Sequence, residues 1–282
     1  MKKIVTHGGK AHSDEFMACC LLFAAGVSDK IVRHDCTPED IDDPEIIVLD
    51  QGMQHDALYN VFDHHQFDRD FKAVCSVTLI LEPLLGISDT DARKIWPWLE
   101  FLEWMDSKGP FQTAKHFGFD PMRTGQMQSP IETTILRKFQ ARKTVHKVST
   151  LGQLMTDIGE EKLEYFHDVK ARLELLEHKA IFHELHGFKV CDVLIPSADN
   201  PHLGLEMFLR DKDYDCPVQI YEDDRGPGIA MYRRGEDPRV DFSRIEGLPG
   251  VDFAHKNGFI AKLSKGVPWQ PLLQASIVPQ ET

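Results

Sequence analysis

Residues 45–50, Glu45-Ile-Ile-Val-Leu-Asp50, are four consecutive apolar residues closed by carboxylates at both ends. A strand apolar on both faces belongs in the middle of a parallel sheet covered by helices. Working outward, Lys3–Thr6 is a short β-branched run and Lys30–Arg33 a second short strand. Val61-Phe62 is a third, and Asp14–Ala25 has helical length and composition. The alternation predicts an α/β domain. Beyond it, Ser76–Leu85 and Asp91–Met105 read as helices, the latter capped by Asp89 or Asp91.

From Gly152 to His186 the chain reads as one long amphipathic helix, with Leu163, Phe166, Val169, Leu173, Leu176 and Ala180 at three- and four-residue spacing. After Gly187 come the short strands FKVCDVLI, PVQIYE, GIAMYR and GFIAKL, with a helix at Leu203–Arg210. The expected organisation is a parallel-sheet α/β domain over 1–150, a connector helix over 151–187 and a smaller α/β domain over 188–282. Two domains on a helical connector imply a cleft able to close over a ligand.

The chain has 282 residues, 42% of them hydrophobic, which is enough for a real core. Its 32 Lys and Arg against 45 Asp and Glu give a formal charge of −13, so no general field attracts long polyanions or anionic membranes. The six cysteines show no C-x-x-C spacing, and Cys19 and Cys20 lie in the apolar run ACCLLFAA, as buried reduced thiols do. The opening MKKIVTHGG lacks an apolar stretch of secretory length, so a cytoplasmic setting is expected.

Three clusters fall where strands should end: His7, His12 and Asp14 after the first, Asp50 after the apolar run quoted above, and Asp63, His64 and His65 after Val61-Phe62. Ligands of open parallel sheets bind beyond the carboxyl ends of the strands, so these side chains are expected to converge. Singly each has a bland reading, as a turn cap or a surface histidine. Together they predict a metal centre. Imidazole and carboxylate ligands without thiolate suit Mn²⁺ best, with Mg²⁺ or Co²⁺ as alternatives. One ion needs three or four such groups, and six or seven point to two. In an extended segment neighbouring side chains point to opposite faces, so only one of His64 and His65 is expected as a ligand.

The segments THGGKAHSDE (Thr6–Glu15), IIVLDQG (Ile46–Gly52) and VFDHHQ (Val61–Gln66) resemble motifs of the DHH phosphoesterase superfamily. Order and spacing most resemble its melanocyte-proliferating-gene-one branch. Cys75-SVTLILEPLLG, Phe101-LEWMDSKG and the closing Phe253-AHKNGFIAKL are similar to later elements of that branch. Where the branch usually has Asp-x-x-Asp-Asn-Gly, this chain has Met105-Asp106-Ser107-Lys108-Gly109, with a single Asp. It also has Ala11 in place of an aromatic residue, and no tryptophan-bearing strand between Arg225 and Pro249.

The resemblance implies a DHH-type catalytic domain and a metal-dependent phosphodiesterase. His7, His12, Asp14, His64 and Asp106 would be ligands, with Asp50 bridging two ions. His65 would contact the scissile phosphate or protonate the leaving group, and Asp63 would orient an imidazole. In the second domain His255, Lys256, Asn257 and Gly258 form a turn before a strand, suited to phosphate, with Arg233 and Arg234 as a further basic pair. The expected substrate is RNA or a short oligonucleotide cut exonucleolytically. Pyrophosphate or another small phosphoester, and a non-catalytic metal- or nucleotide-binding module, are the alternatives. The sequence leaves oligomeric state open.

Overall fold

Six strands form the first sheet: β1 (Lys2–Thr6), β2 (Ser28–Arg33), β3 (Ile46–Leu49), β4 (His55–Asp56), β5 (Val61–Phe62) and β6 (Thr144–His146), in the order β4-β5-β3-β1-β2-β6. The centre is parallel: β1 pairs with β2 and β3, and β3 with β5. Ile4 lies between Ile31 and Ile47, all fully buried. That is why β3 reads as an unbroken apolar run. The two edges depart from the all-parallel expectation, since β4 and β6 pair antiparallel. β4 reaches β5 through a four-residue turn, too short for the crossover that parallel pairing needs.

This computed structural model describes residues 1–124, 129–195 and 200–279. The described chain divides into two units, Met1–His167 and Asp168–Thr282. A helix over Ser13–Ala24 buries Phe16, Cys19, Cys20 and Phe23 in the first unit. The Ser76–Leu85 helix stands where expected. The single helix expected over Asp91–Met105 is instead two, Asp89–Ile95 and Pro97–Ser107. Pro97 lacks an N–H and keeps Trp96 out of helical geometry, at φ −107° and ψ 82°. Ser88, not Asp89 or Asp91, caps the first of these, its hydroxyl accepting from Asp91 N–H.

The long amphipathic helix spans Thr150–Lys179, and the division between the units falls within it. It stops seven residues short of the expected end because Ile181–Leu185 (β7) turns back on Phe188–Val193 (β8) as a hairpin. His186 and Gly187 carry the turn at φ 50° and 81°, the two consecutive left-handed residues that a tight hairpin requires. Cross-strand pairing there overrides the helical spacing.

The second sheet continues with β9 (Val218–Glu222), β10 (Ile229–Arg233), β11 (Val251–Ala254) and β12 (Ile260–Leu263), in the order β11-β12-β10-β9-β8-β7. Among the described residues of this sheet only β8 and β9 pair in parallel, and the Leu205–Lys212 helix lies in the crossover between them. Alternation sorts the residues: Val190, Val218, Ile220 and Met231 pack with Trp269 and Leu273. Cys191, Val193 and Tyr221 pack on Leu205, Phe208 and Leu209. All six cysteines are free thiols, five of them buried. Among the described residues no helix is long and apolar enough to cross a membrane.

Within the first unit, Gly159 of the long helix lies against the backbone of the Ser13–Ala24 helix, and a Cβ there would overlap the Cys20 carbonyl. Gly159→Ala raises helix propensity yet forces the two helices apart. It should lower stability by about 1–3 kcal/mol, read as a fall in the thermal unfolding midpoint.

Candidate metal centre

β5, β3 and β1 are adjacent and parallel, so the loops leaving their carboxyl ends emerge side by side. Thr6 ends β1 and delivers His7. Leu49 ends β3, and the chain turns at Asp50 with φ 56°, a left-handed conformation that costs a non-glycine residue about 1 kcal/mol or more. The loop after β1 also brings His12 and Asp14 to the start of the Ser13–Ala24 helix. Asp106 arrives from the last turn of the Pro97–Ser107 helix.

His7 Nε2 lies 3.3 Å from Asp50 Oδ2, and His12 Nδ1 lies 3.8 Å from the same oxygen and 3.7 Å from Asp106 Oδ1. His64 Nε2 is 3.2 Å from Asp50 Oδ1 and 2.6 Å from Asp106 Oδ2. Three sets of atoms each gather within 4.8 Å of one another: His7, His12 and Asp50; Asp50, His64 and His65; Asp14, Asp50, His64 and Asp106. Asp50 belongs to all three. The six residues expected as ligands, His7, His12, Asp14, Asp50, His64 and Asp106, are therefore together.

The electrostatics are those of cation-seeking groups. Asp14 is fully buried, and burial, reinforced by the Asp106 and Asp50 carboxylates, pushes its carboxyl well above the usual range. Asp50 goes the other way: burial opposes its charge, but hydrogen bonds from His64 and His7 hold its carboxyl below the ordinary value. The hydrogen bond with Asp50 lifts His7 to about 9. Burial works against His64, yet Asp106 and Asp50 raise it to about 10. Even so, His7 Nε2, Asp14 Oδ1, Asp50 Oδ2 and Asp106 Oδ2 are buried with no well-aligned hydrogen-bond partner. Unsatisfied polar atoms are costly inside a protein, and here they converge. Imidazole nitrogens and carboxylate oxygens orphaned in this way fit a hard or borderline divalent cation.

Asp63 is fully engaged. Its Oδ1 accepts from His65 N–H (3.0 Å) and lies 2.6 Å from His65 Nδ1, while Oδ2 accepts from Met53 N–H (2.6 Å). It ties the Asp50 loop to the His65 turn and fixes the His65 ring. The expectation that His64 and His65 face opposite sides is not met. Their rings stack with centroids 4.4 Å apart, because the strand ends at Phe62 and residues 64–67 close a turn, Phe67 N–H donating to His64 O. Both imidazoles thus border Asp50. The His64 side chain is 6% exposed and that of His65 52%.

Glu15 escapes the sequence reading. Fully buried, it accepts from the Thr6 hydroxyl, His12 N–H (3.1 Å) and Arg33 (3.3 Å), and lies 3.4 Å from His7. The signal that could have found it is its place three residues after His12, where an acidic side chain reaches back to the residue before a helix. Glu103 is similar: buried one turn before Asp106, it accepts from both terminal nitrogens of Arg93 (2.5 and 2.7 Å) and from the Thr78 hydroxyl. Together they brace the two helices that carry Asp14 and Asp106.

The remaining expected site residues belong to the second unit. Asn257 N–H donates to His255 Nδ1 (3.1 Å), and the His255 ring lies 4.2 Å from that of Phe259. Lys256 is exposed. Gly258 has φ 67°, and a Cβ there would strike Asp241, so packing within the unit already requires a glycine. Arg233 braces this turn through the carbonyls of Val240 (2.9 Å) and Asn257 (3.1 Å). Arg234 Nε donates to both Glu206 oxygens (2.8 and 3.0 Å).

None of the curated proteins matches the chain. Among solved structures, a pGpG-specific phosphodiesterase, PggH from Vibrio cholerae, aligns over 93% of this chain and 92% of its own, at 12% identity and a TM-score of 0.29. RecJ from Thermus thermophilus, solved in complex with Mn²⁺, aligns over 97% of this chain at 11% identity and a TM-score of 0.27. The alignment spans 51% of that RecJ chain, about half its length. Residues 3–80 match the family described as Uncharacterised protein family (UPF0160). Those residues hold His7, His12, Asp14, Asp50 and the Asp63–His65 run, so the similarity to that family covers most of the cluster but little more than a quarter of the chain.

Proposed function

We propose that this protein is a metal-dependent phosphodiesterase that acts as an exonuclease on RNA or short oligonucleotides. One observation carries the reading: six ligand-type side chains from four segments meet around Asp50, with buried carboxylate oxygens left without hydrogen-bond partners. His7, His12, Asp14, Asp50, His64 and Asp106 would hold the metal, Mn²⁺ or else Mg²⁺ or Co²⁺. The sharing of Asp50 by all three groups supports two ions with Asp50 between them. Divalent ions supply Lewis acidity, bringing the ionisation of water near neutrality and offsetting charge that develops on phosphate oxygens during in-line displacement.

The chain's own residues do the rest. Asp63 orients His65 through Nδ1, leaving Nε2 to hydrogen-bond the scissile phosphate or to deliver a proton to the departing oxygen. Half exposure of His65 suits a group that meets substrate. The Gly8 carbonyl, 2.6 Å from His7 Nδ1, orients that ring and leaves Nε2 toward Asp50. His255, Lys256, Gly258 and Arg234 are proposed substrate contacts of the second unit, with Lys256 the exposed cation among them. The close approach of Asp106 to His64 weighs against a binding module that has lost turnover.

Purified protein with Mn²⁺ should release nucleotides from short RNA and dinucleotides faster than phosphate from pyrophosphate; no release from any of the three would sink the proposal. Asp50→Asn should cut turnover at least about a thousandfold, the several kcal/mol a divalent ion contributes, while circular dichroism shows the fold intact.

At neutral pH without metal, His7 and His64 are imidazolium, so metal uptake must expel their protons. Calorimetry in buffers of different ionisation heat should show about two protons released per chain near pH 7. Metal affinity should climb with pH until about 9 to 10. With chelator present the sign reverses. Both folded-state values lie above the ordinary 6.5, so their stabilisation is full below 6.5 and is lost as pH rises through about 9 to 10. The metal-free unfolding midpoint should fall across that window.

A further inference from the structure

The metal-binding cluster lies between two cavities of the first unit, and Asp106 lines both. One, of about 850 Å³, is bordered by His64 and His65 and by Arg69, Lys72 and Lys108. The other, of about 810 Å³, reaches His12 and Asp14 and is of different character. Met17, Trp98, Phe101, Leu102 and Leu136 contribute to its walls, and Lys10 and Arg137 also line it. Neither of these two cations has an ion-pair partner among the described residues, although the chain carries a formal charge of −13. Both are exposed at the hollow, which Glu132 also lines, and both are therefore free to meet an anion that enters it.

We infer that this hollow between the Ser13–Ala24, Pro97–Ser107 and Pro130–Gln140 helices seats the nucleobase of a nucleotide whose phosphate lies at the metal cluster, with Arg137 and Lys10 on its anionic groups. The inference rests on the phosphodiesterase reading and adds to it a base-binding subsite inside the first unit. Three features select a nucleobase over an aliphatic chain. The volume lies within the range of small-ligand sites and holds a base and its sugar with room to spare. Trp98 and Phe101 are partly exposed aromatic side chains of the wall, and bases stack on such surfaces whatever their sequence. The hollow also opens directly on the cluster, so a base seated there keeps its own phosphate within reach of Asp106 and His12. Pyrophosphate would leave the hollow unfilled.

The test is calorimetric titration of the full chain, with Mn²⁺, by adenosine 5′-monophosphate and by ribose 5-phosphate, which lacks the base. The nucleotide should bind at least about tenfold tighter, and Trp98→Ala should remove that advantage while leaving ribose 5-phosphate binding unchanged. Arg137→Glu, a change at an exposed position that leaves the core alone, should weaken both ligands. Equal binding of the two ligands by the wild type would overturn the inference. So would wild-type nucleotide affinity in both variants, with unfolding midpoints checked. Hydrolysis separates this failure from failure of the function: a dinucleotide cut no faster than its abasic analogue, but cut, removes the subsite and leaves the phosphodiesterase. If neither is cut, the calorimetric difference still decides whether a base is held.

Discussion

Too many carboxylates buried in one place is the constraint around which the first unit is built. Asp14, Asp50 and Asp106 gather with His64 inside 4.8 Å, and Glu15 is buried a short distance away beside His7. Burying one ionised carboxylate is expensive, and gathering several multiplies the cost unless positive charge comes with them. The metal-free chain answers in part with protons. They sit on His7 and His64, which Asp50 and Asp106 hold charged, while burial works against ionisation of Asp14. Arg33 pairs with Glu15 and Arg93 with Glu103, so these two permanent countercharges serve the bracing glutamates rather than the centre. What remains is a pocket whose charge is balanced by labile protons, a composition suited to exchanging them for divalent cations.

The sheet solves the geometric half of the problem. Parallel strands in the order β5-β3-β1 put three loops at one edge without any of them being long, and the helices that carry Asp14 and Asp106 approach the same edge. Precision then comes from groups behind the centre. Asp63 spends both oxygens on Met53 and His65, Glu15 joins β1 to the start of a helix and to Arg33, and Glu103 locks to Arg93 and Thr78. Each is buried and each has several partners, so a loss would be felt as displacement of a neighbouring side chain of the cluster.

Much of this is legible in the chain. The continuous apolar run at Ile46–Leu49 and the carboxylates and imidazoles after each strand are local patterns, and parallel topology turns them into a common edge. What escapes is governed by contacts remote in sequence or by the end of a pattern. Glu15 reads as an ordinary acidic residue of a helix's first turn, and only the partners brought by β1 and β2, Thr6 and Arg33, give it a further task. A period of two sets His64 and His65 on opposite faces, but that period has already stopped at Phe62. β7 is hidden because its residues continue the helical spacing, while the deciding signal is the His186-Gly187 pair. Asp106, the lone Asp of Met105–Gly109, is a weak signal in the sequence, yet it stands closer to His64 than Asp50 does.

The acidic balance of the chain and its proposed polyanionic substrate are reconciled by distance. At physiological salt a charge is screened beyond about 8 Å, so a formal charge of −13 spread over the surface acts weakly on a ligand already inside a cavity. There the near groups rule: Lys10 and Arg137 line one cavity beside the cluster, and Arg69, Lys72 and Lys108 the other. Two of the latter trio are committed elsewhere, Lys108 to the carbonyls of Arg69 and Phe71 and Lys72 to Asp89. On the proposed reading, binding energy would therefore be concentrated within about one or two nucleotides of the cluster rather than spread along a strand. A long duplex, which depends on many phosphate contacts in a row, gains little from such a surface; a chain end or a dinucleotide gains nearly all that it offers.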